Sequence, residues 1–254
     1  ELPELIRKLA GIDGIDDIAL TTNGILLAEQ AAALKNAGLH RVNISLDTLS
    51  EATFEKITRR RGLQRVLEGI FAARDAGFDR IRLNAVAIAG LTEADVVPLG
   101  EFARAHDMEM RFIEFMPLDA EGNWQDDQVL PGEAIRAQLE QAFGPLDPAA
   151  RPDPSKPAVD YIFADGVGRI GFINPVSQPF CSDCNRLRIT AEGQLRNCLF
   201  STTEWDARQL LRGRADGDAI ADLIRRCVWA KKPGHGIDGA DFVRPQRAMY
   251  QIGG

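Results

Sequence analysis

Cys181-Ser182-Asp183-Cys184 sets two thiols on either side of a two-residue spacer, and Cys198 follows after thirteen intervening residues. A tight turn lets both thiols of such a pair face one metal centre, and a third can arrive from the far side of the intervening segment. Two chemistries fit. A structural zinc site wants a fourth ligand, for which Asp183, Cys227 and His235 are the candidates. An iron–sulfur cluster with three protein ligands keeps one iron open to an exogenous donor. Spacing alone does not choose between them. Cys227, in Ile224-Arg225-Arg226-Cys227-Val228-Trp229, reads as a packed thiol on an amphipathic helix, and His235, between Gly234 and Gly236, reads as a solvent-exposed loop residue. Beside the cysteines runs Asn185-Arg186-Leu187-Arg188-Ile189-Thr190. On a strand, Arg186 and Arg188 share a face. Two guanidiniums next to a metal suit a phosphate-bearing ligand; a solvated charged face is the plainer reading of the same pattern.

These residues need a scaffold, and the first half of the chain supplies a repeating one. Short apolar runs over 17–22, 41–47, 80–88 and 108–116 read as strands. Helical patterns lie between them, over 26–36, 50–57, 63–76 and 92–105. The second opens on a capping-box-like Ser50, and the fourth has Thr92 as its expected N-cap. Strand and helix in alternation imply parallel strands joined by right-handed crossovers. The class is α/β, with a partial (β/α) barrel favoured over an open sheet. In such folds ligands bind at the C-terminal ends of strands, where Thr21, Thr22, Asn23, Ser45, Asp47 and Met116 fall; any one of them taken singly reads first as a helix cap. The character changes after Met116. Residues 143–157 read as a loop, 161–163, 168–173 and 187–195 as hairpin-type strands, and 204–211 and 218–231 as helices. A division into 1–118 and 119–254 follows, the second part an α+β extension carrying the cysteines.

Composition sets the outer limits. The 254 residues are 45% hydrophobic and 26% charged, with a formal net charge of −7. That is enough for a sizeable core. The acidic balance argues against a broad nucleic-acid-binding surface, no apolar run reaches membrane-span length, and no signal-peptide pattern opens the chain. A cytoplasmic protein is expected, in which four cysteines suit a metal site better than disulfides. The chain starts at Glu1, without Met, inside a helix-like stretch, which reads as a cut through a longer protein.

Several segments together resemble one family. Thr21-Thr22-Asn23-Gly24, Val42-Asn43-Ile44-Ser45-Leu46-Asp47, Arg111-Phe112-Ile113-Glu114-Phe115-Met116-Pro117, Phe180 to Arg188 and the terminal Gly253-Gly254 are similar to the GTP 3′,8-cyclases, radical SAM lyases of molybdenum-cofactor biosynthesis. The similarity spans essentially the whole chain. It implies a partial barrel of the radical SAM type, S-adenosylmethionine as co-substrate, and conversion of GTP to 3′,8-cyclo-7,8-dihydro-GTP. It implies an auxiliary [4Fe–4S] cluster on Cys181, Cys184 and Cys198, whose open iron takes the guanine. It also implies GTP contacts at Thr21, Arg82, Arg186 and Arg188, S-adenosylmethionine contacts at Ser45 and Met116, and a Gly253-Gly254 tail entering the active site. A homodimer and a hand-off to the cyclic pyranopterin monophosphate synthase are implied as well, with neither nucleic acid nor membrane as partner.

Two departures stand out. Arg82 occupies a position where the family has Lys. The Cys-x3-Cys-x2-Cys motif of the radical-generating cluster and a Gly-Gly-Glu-Pro motif would lie upstream of Glu1, so the second [4Fe–4S] cluster is expected only in a longer protein. The isolated chain is therefore expected to be inactive, poorly soluble and open at a sheet edge. The alternatives are a non-catalytic nucleotide-binding iron–sulfur module, a zinc-stabilised α/β scaffold, and another radical SAM enzyme with an auxiliary cluster.

Overall fold

Val42 and Ile44 are fully buried, while Arg41, Asn43 and Ser45 around them are not. Successive strand residues point to opposite faces, so this strand carries one apolar row and one polar row. The same alternation runs through Ile81–Ala87 and Glu109–Glu114. Parallel strands usually read as continuous apolar runs; these carry apolar side chains on one face and polar ones on the other.

The computed structural model describes every residue except Asp119, Ala120, Glu121, Asn123, Asp238, Ala240, Asp241, Gly253 and Gly254. The chain forms two units, the first made of Glu1–Glu114, Asp127–Pro152 and Ala158–Asn174, the second of Phe115–Asp126, Asp153–Pro157 and Pro175–Gly254.

In the first unit the order is α1 (Leu2–Ala10), β1 (Ala19–Thr22), α2 (Leu27–Asn36), β2 (Arg41–Ser45), α3 (Glu51–Thr58), α4 (Leu63–Asp75), β3 (Ile81–Ala87), α5 (Val96–Ala105), β4 (Glu109–Glu114), α6 (Gly132–Phe143), β5 (Leu146–Pro148), β6 (Val159–Phe163) and β7 (Arg169–Ile173). The strands form one sheet in the order β1-β2-β3-β4-β7-β6-β5. The neighbours from β1 to β7 pair in parallel, and β6 and β5 add antiparallel. Helices cover the apolar face: Ala31 and Leu34 of α2, Val66 and Ile70 of α4, Leu99 of α5 and Leu139 of α6 share one core with Ile44, Leu83, Met110 and Phe172. Each of the larger side chains among these, fully buried, contributes about 1.5–3 kcal/mol. Gly69 lets α4 approach the β1–α2 turn, because a Cβ there would sit 2.5 Å from the Gly24 carbonyl oxygen.

The expected α/β class holds, and the first four strands and their helices fall where the periodicity puts them. Ser50 caps α3, its Oγ accepting from the Thr53 N–H. Thr92 holds the N-cap position of a 3-10 turn over Glu93–Asp95 that leads into α5, but its side chain makes no capping bond: its hydroxyl accepts from the Ile88 N–H at 2.8 Å and donates to the Val86 carbonyl at 3.0 Å, fastening the end of β3. Helix α6 was not expected. It has no side-chain cap, only Pro131 before it and Gly144, at φ 92°, after it. The loop expected over 143–157 contains β5, and β5, β6 and β7 complete the first unit's sheet rather than standing apart.

The second unit holds a small antiparallel sheet, β8 (Arg188–Ile189), β9 (Gln194–Arg196) and β10 (Trp205–Asp206), followed by α7 (Ala207–Arg212) and α8 (Gly217–Trp229). Asp206 and Asp216 cap the two helices, accepting from the Gln209 and Ala219 amides at 2.8 Å. Leu195, Ala207, Leu223 and Cys227 form its core. Among the described residues no helix is long and apolar enough to cross a membrane.

Candidate functional site

The polar face of the first unit's sheet is built by register. Thr21, Asn43, Arg82, Glu109 and Arg169 are successive cross-strand neighbours from β1 to β7. One step further along, Ser45, Asn84, Arg111, Gly171 and Asp160 form a second row from β2 to β6. Neighbours in a row lie close enough to interact. Asn43 donates to the Thr21 hydroxyl at 3.2 Å. Arg82 donates to Glu109 Oε2 at 3.1 Å, and Arg111 to Glu109 Oε1 at 2.5 Å. Arg111 also lies 3.8 Å from Asp160. Gly171 makes room for that pair, since a Cβ there would fall 2.8 Å from the Asp160 carboxylate.

Electrostatics follow from this crowding. Burial pushes the Glu109 carboxyl up, but Arg111 and Arg82 outweigh it and hold the group below its usual value. Burial lowers the Arg111 guanidinium, partly offset by Glu109. Burial, then the Glu109 charge, raises Asp160. The buried Oδ1 atoms of Asn43, Asn84 and Asp160 have no hydrogen-bond partner among the described residues. Buried acceptors of this kind are normally satisfied, so this face offers acceptors to a ligand.

Thr21, Arg82 and Ser45, expected from the sequence, therefore lie on one sheet face, Ser45 in the row beside Thr21 and Arg82. Sequence reading missed Asn43 as a site residue, and Asn84, Glu109, Arg111 and Asp160 with it. The signal was present: polar residues two apart, Arg82 and Asn84, then Glu109 and Arg111, inside strands expected to be apolar throughout. Asp47 lies beyond the end of β2. Its carboxylate accepts from the Val86 N–H at 2.7 Å, fastening the end of β2 to β3.

In the second unit, Cys181, Cys184 and Cys198 line one cavity of about 410 Å³, together with Asn197, Phe200, Trp205, Lys231 and His235. All three thiols are free and half-buried. The Cys181 loop is a 3-10 turn over Cys181–Asp183; Cys198 arrives after β9. Among the described residues no group of three or more His, Cys, Asp or Glu closes on a single metal ion. Burial raises the Cys181 thiol, partly offset by the His235 amide N–H. Burial also pushes Cys184 up, but the Arg186 amide, then Lys231, then the Arg186 guanidinium, bring it below the ordinary thiol value.

The three candidates for a fourth zinc ligand do not fill that role. Cys227 is fully buried in the core and does not line the cavity. Asp183 is exposed and takes a hydrogen bond from Ser182. His235 lines the cavity and is not a free loop residue as expected: its Nδ1 accepts from the Ile237 N–H at 3.1 Å, which leaves Nε2–H to donate to the Pro175 carbonyl at 2.7 Å.

Arg186 and Arg188 do not share a strand face, since β8 begins only at Arg188. Both nonetheless sit by the thiols. Arg186 donates to Cys184 Sγ at 3.0 Å and stacks on Phe180. Burial, then the Arg186 charge, lowers the Arg188 guanidinium, and the Cys198 and Cys184 thiols partly offset this. Met116 is half-buried, its carbonyl accepting from the Leu118 amide. Gly253 and Gly254 lie outside the described residues. Sequence reading missed Lys231, which donates to the Arg186 and Asn197 carbonyls at 3.0 Å each. It also missed Glu204, which joins Arg196 to Arg247.

Residues 1–103 match the Radical SAM superfamily model, and residues 108–237 match the Molybdenum Cofactor Synthesis C model. The chain is 51% identical over 253 residues to a GTP 3′,8-cyclase of Rhodopirellula baltica, covering 99% of this chain and 70% of that protein. It is 45% identical over 259 residues to a GTP 3′,8-cyclase of Mycolicibacterium smegmatis, covering 100% of this chain and 71% of that protein. A GTP 3′,8-cyclase of Streptomyces coelicolor is 42% identical over 250 residues, covering 98% and 73%.

Proposed function

The chain belongs to the GTP 3′,8-cyclase family of radical SAM proteins, and from that premise we propose that it carries the GTP-binding and auxiliary-cluster portion of an enzyme converting GTP to 3′,8-cyclo-7,8-dihydro-GTP. Cys181, Cys184 and Cys198 hold a [4Fe–4S] centre. Thr21, Arg82, Arg186 and Arg188 contact GTP. Ser45 and Met116 contact S-adenosylmethionine. The first unit is the C-terminal part of a partial radical SAM barrel, and the second carries the cluster. A cytoplasmic homodimer that passes its product to the cyclic pyranopterin monophosphate synthase completes the reading.

The observation that carries it is the cysteine cavity. Three free thiols line one cavity, and a set of three sulfur donors suits an iron–sulfur cluster better than a four-ligand zinc site. The Arg186 guanidinium donates to Cys184 Sγ at 3.0 Å, as hydrogen bonds that tune a cluster do. When bound, such a centre supplies an iron open to the purine, and S-adenosylmethionine with its own cluster supplies removal of a hydrogen atom from the ribose.

The chain's own residues do the binding and orientation. Guanidiniums pair with phosphate oxygens in fixed, two-pronged geometry. Arg186 is already oriented, by Phe180 and by Cys184. Arg82 is oriented by Glu109. The Thr21 hydroxyl takes the Asn43 amide and keeps its own O–H to give.

The test is anaerobic reconstitution of residues 1–254 with iron and sulfide. About four irons and four sulfides per chain, lost in Cys181→Ala, are expected. About one zinc with no sulfide would overturn the assignment and favour a zinc-stabilised scaffold.

A further inference from the structure

Lys231 lies just past the end of α8, whose C-terminal half is anchored in the second unit's core by Leu223 and Cys227. Its ammonium has three N–H donors and no acceptor. One donates to the Arg186 carbonyl at 3.0 Å and one to the Asn197 carbonyl at 3.0 Å. Lys231 also lines the cavity that holds Cys181, Cys184 and Cys198. Arg186 follows Cys184 by two residues, and Asn197 directly precedes Cys198, so one side chain ties together the two segments that bear the cysteines. The tie is made twice at Asn197, whose Nδ2 donates to the Cys227 carbonyl of α8 at 2.8 Å. The free cysteines form no covalent link between those segments.

We propose that Lys231 is a positioning residue for the cluster: it straps the Cys184 and Cys198 segments into one donor set and keeps a positive charge beside the sulfurs. This rests on the cluster reading above. Outer partners of metal ligands fix their orientation, and their loss costs about 10–100-fold in affinity. A cation beside a cluster favours the reduced, more negative state, so it raises the reduction potential.

The experiment compares residues 1–254 with Lys231→Met and Lys231→Gln after anaerobic reconstitution. Iron and sulfide per chain, cluster loss under a chelator, and the midpoint potential followed by electron paramagnetic resonance are measured. Circular dichroism of the iron-free chains reports the fold. Lys231→Met should lose its cluster about tenfold faster and shift its midpoint to more negative potential. Lys231→Gln, which keeps N–H donors without charge, should hold the cluster better than Met yet show the same direction of shift. Where Lys231→Met fails to fold, Lys231→Gln decides the charge contribution, and an unchanged midpoint overturns it. Wild-type rates of loss and an unchanged midpoint in a folded Lys231→Met overturn the whole proposal. Failure of the wild-type chain to bind iron and sulfide would instead sink the cluster reading itself.

Discussion

Arg82 on β3 donates its Nε–H to Glu109 on β4 across 3.1 Å, from one parallel strand to its neighbour. The carboxylate's other oxygen takes Arg111. One acidic group thus holds two guanidiniums on a face where all three are largely shielded from water. Charges this well shielded depend on each other, and removing one partner leaves the others uncompensated.

Glu109→Ala should therefore destabilise the first unit by about 3 kcal/mol, read as a lowered urea midpoint at pH 7. The acid side of the stability curve should change as well. The folded Glu109 lies below its ordinary 4.5, so its contribution is present above that pH and is lost as pH falls through the folded value. Glu109→Ala should flatten that acid limb. A variant as stable as the parent at pH 7 would show that the pair of arginines does not need its anion.

The β/α alternation was legible because short runs built around Val42, Ile44, Leu83, Met110 and Phe112 are bounded by turn residues such as Asn23-Gly24 and Gly77. The second half was harder for physical reasons. Helix α6 has no capping side chain, and β5 is three residues long with one of them buried, too short for a period to show. The cysteine block was legible from spacing, but Lys231 was not. Its role depends on carbonyls at 186 and 197, which no side-chain pattern encodes. The polar rows were hidden in the same way: Asn84 and Arg111 become neighbours only once β3 and β4 pair in register.

Asp47 gives a prediction of opposite sign. Burial, and then the nearby Asp95 carboxylate, push its carboxyl from 3.8 to about 6, against the Val86 N–H bond that lowers it. In the window between those values the folded state binds more protons than the unfolded, so stability falls as pH rises through it. The span of about two units corresponds to roughly 3 kcal/mol. Asp47→Asn keeps an oxygen for the Val86 N–H without the charge. It should gain stability over the parent at pH 7.5 and lose that advantage near pH 4, as followed by thermal unfolding. An Asn variant less stable than the parent at both pH values would reject the burial cost.

The C-terminal segment carries its own tether. Arg247 gives two hydrogen bonds to Glu204 and one to Glu192, and Glu204 also takes buried Arg196. The Met249 amide donates to the Leu118 carbonyl, and Ile252 is fully buried. Arg247→Ala should speed hydrogen exchange at the Met249 and Ile252 amides while leaving the core amides of α8 protected, because local opening is set by local contacts. Glu204→Ala should cost more, about 3 kcal/mol globally, since it also strands the Arg196 charge. Equal effects of the two variants on global unfolding would show that the tether is not separable from the core.

Cys227 and Cys198 occupy different surroundings. Both are free thiols in the second unit, but Cys198 lines the cavity while Cys227 packs against Leu195, Ala207 and Leu223. Cys227→Ala should keep its full iron and sulfide and lose about 1 kcal/mol of stability, the scale of a small core truncation. Cys198→Ala should lose the cluster and leave the iron-free fold near wild type. With Cys227 in the core, the thiols of these 254 residues suffice for one three-thiolate cluster. Residues 1–254 should therefore bind about four irons yet release no 5′-deoxyadenosine from S-adenosylmethionine under reducing conditions. Iron lost from Cys227→Ala at the rate seen for Cys198→Ala, with the fold intact by circular dichroism, would put Cys227 among the ligands and reopen the four-thiolate zinc reading.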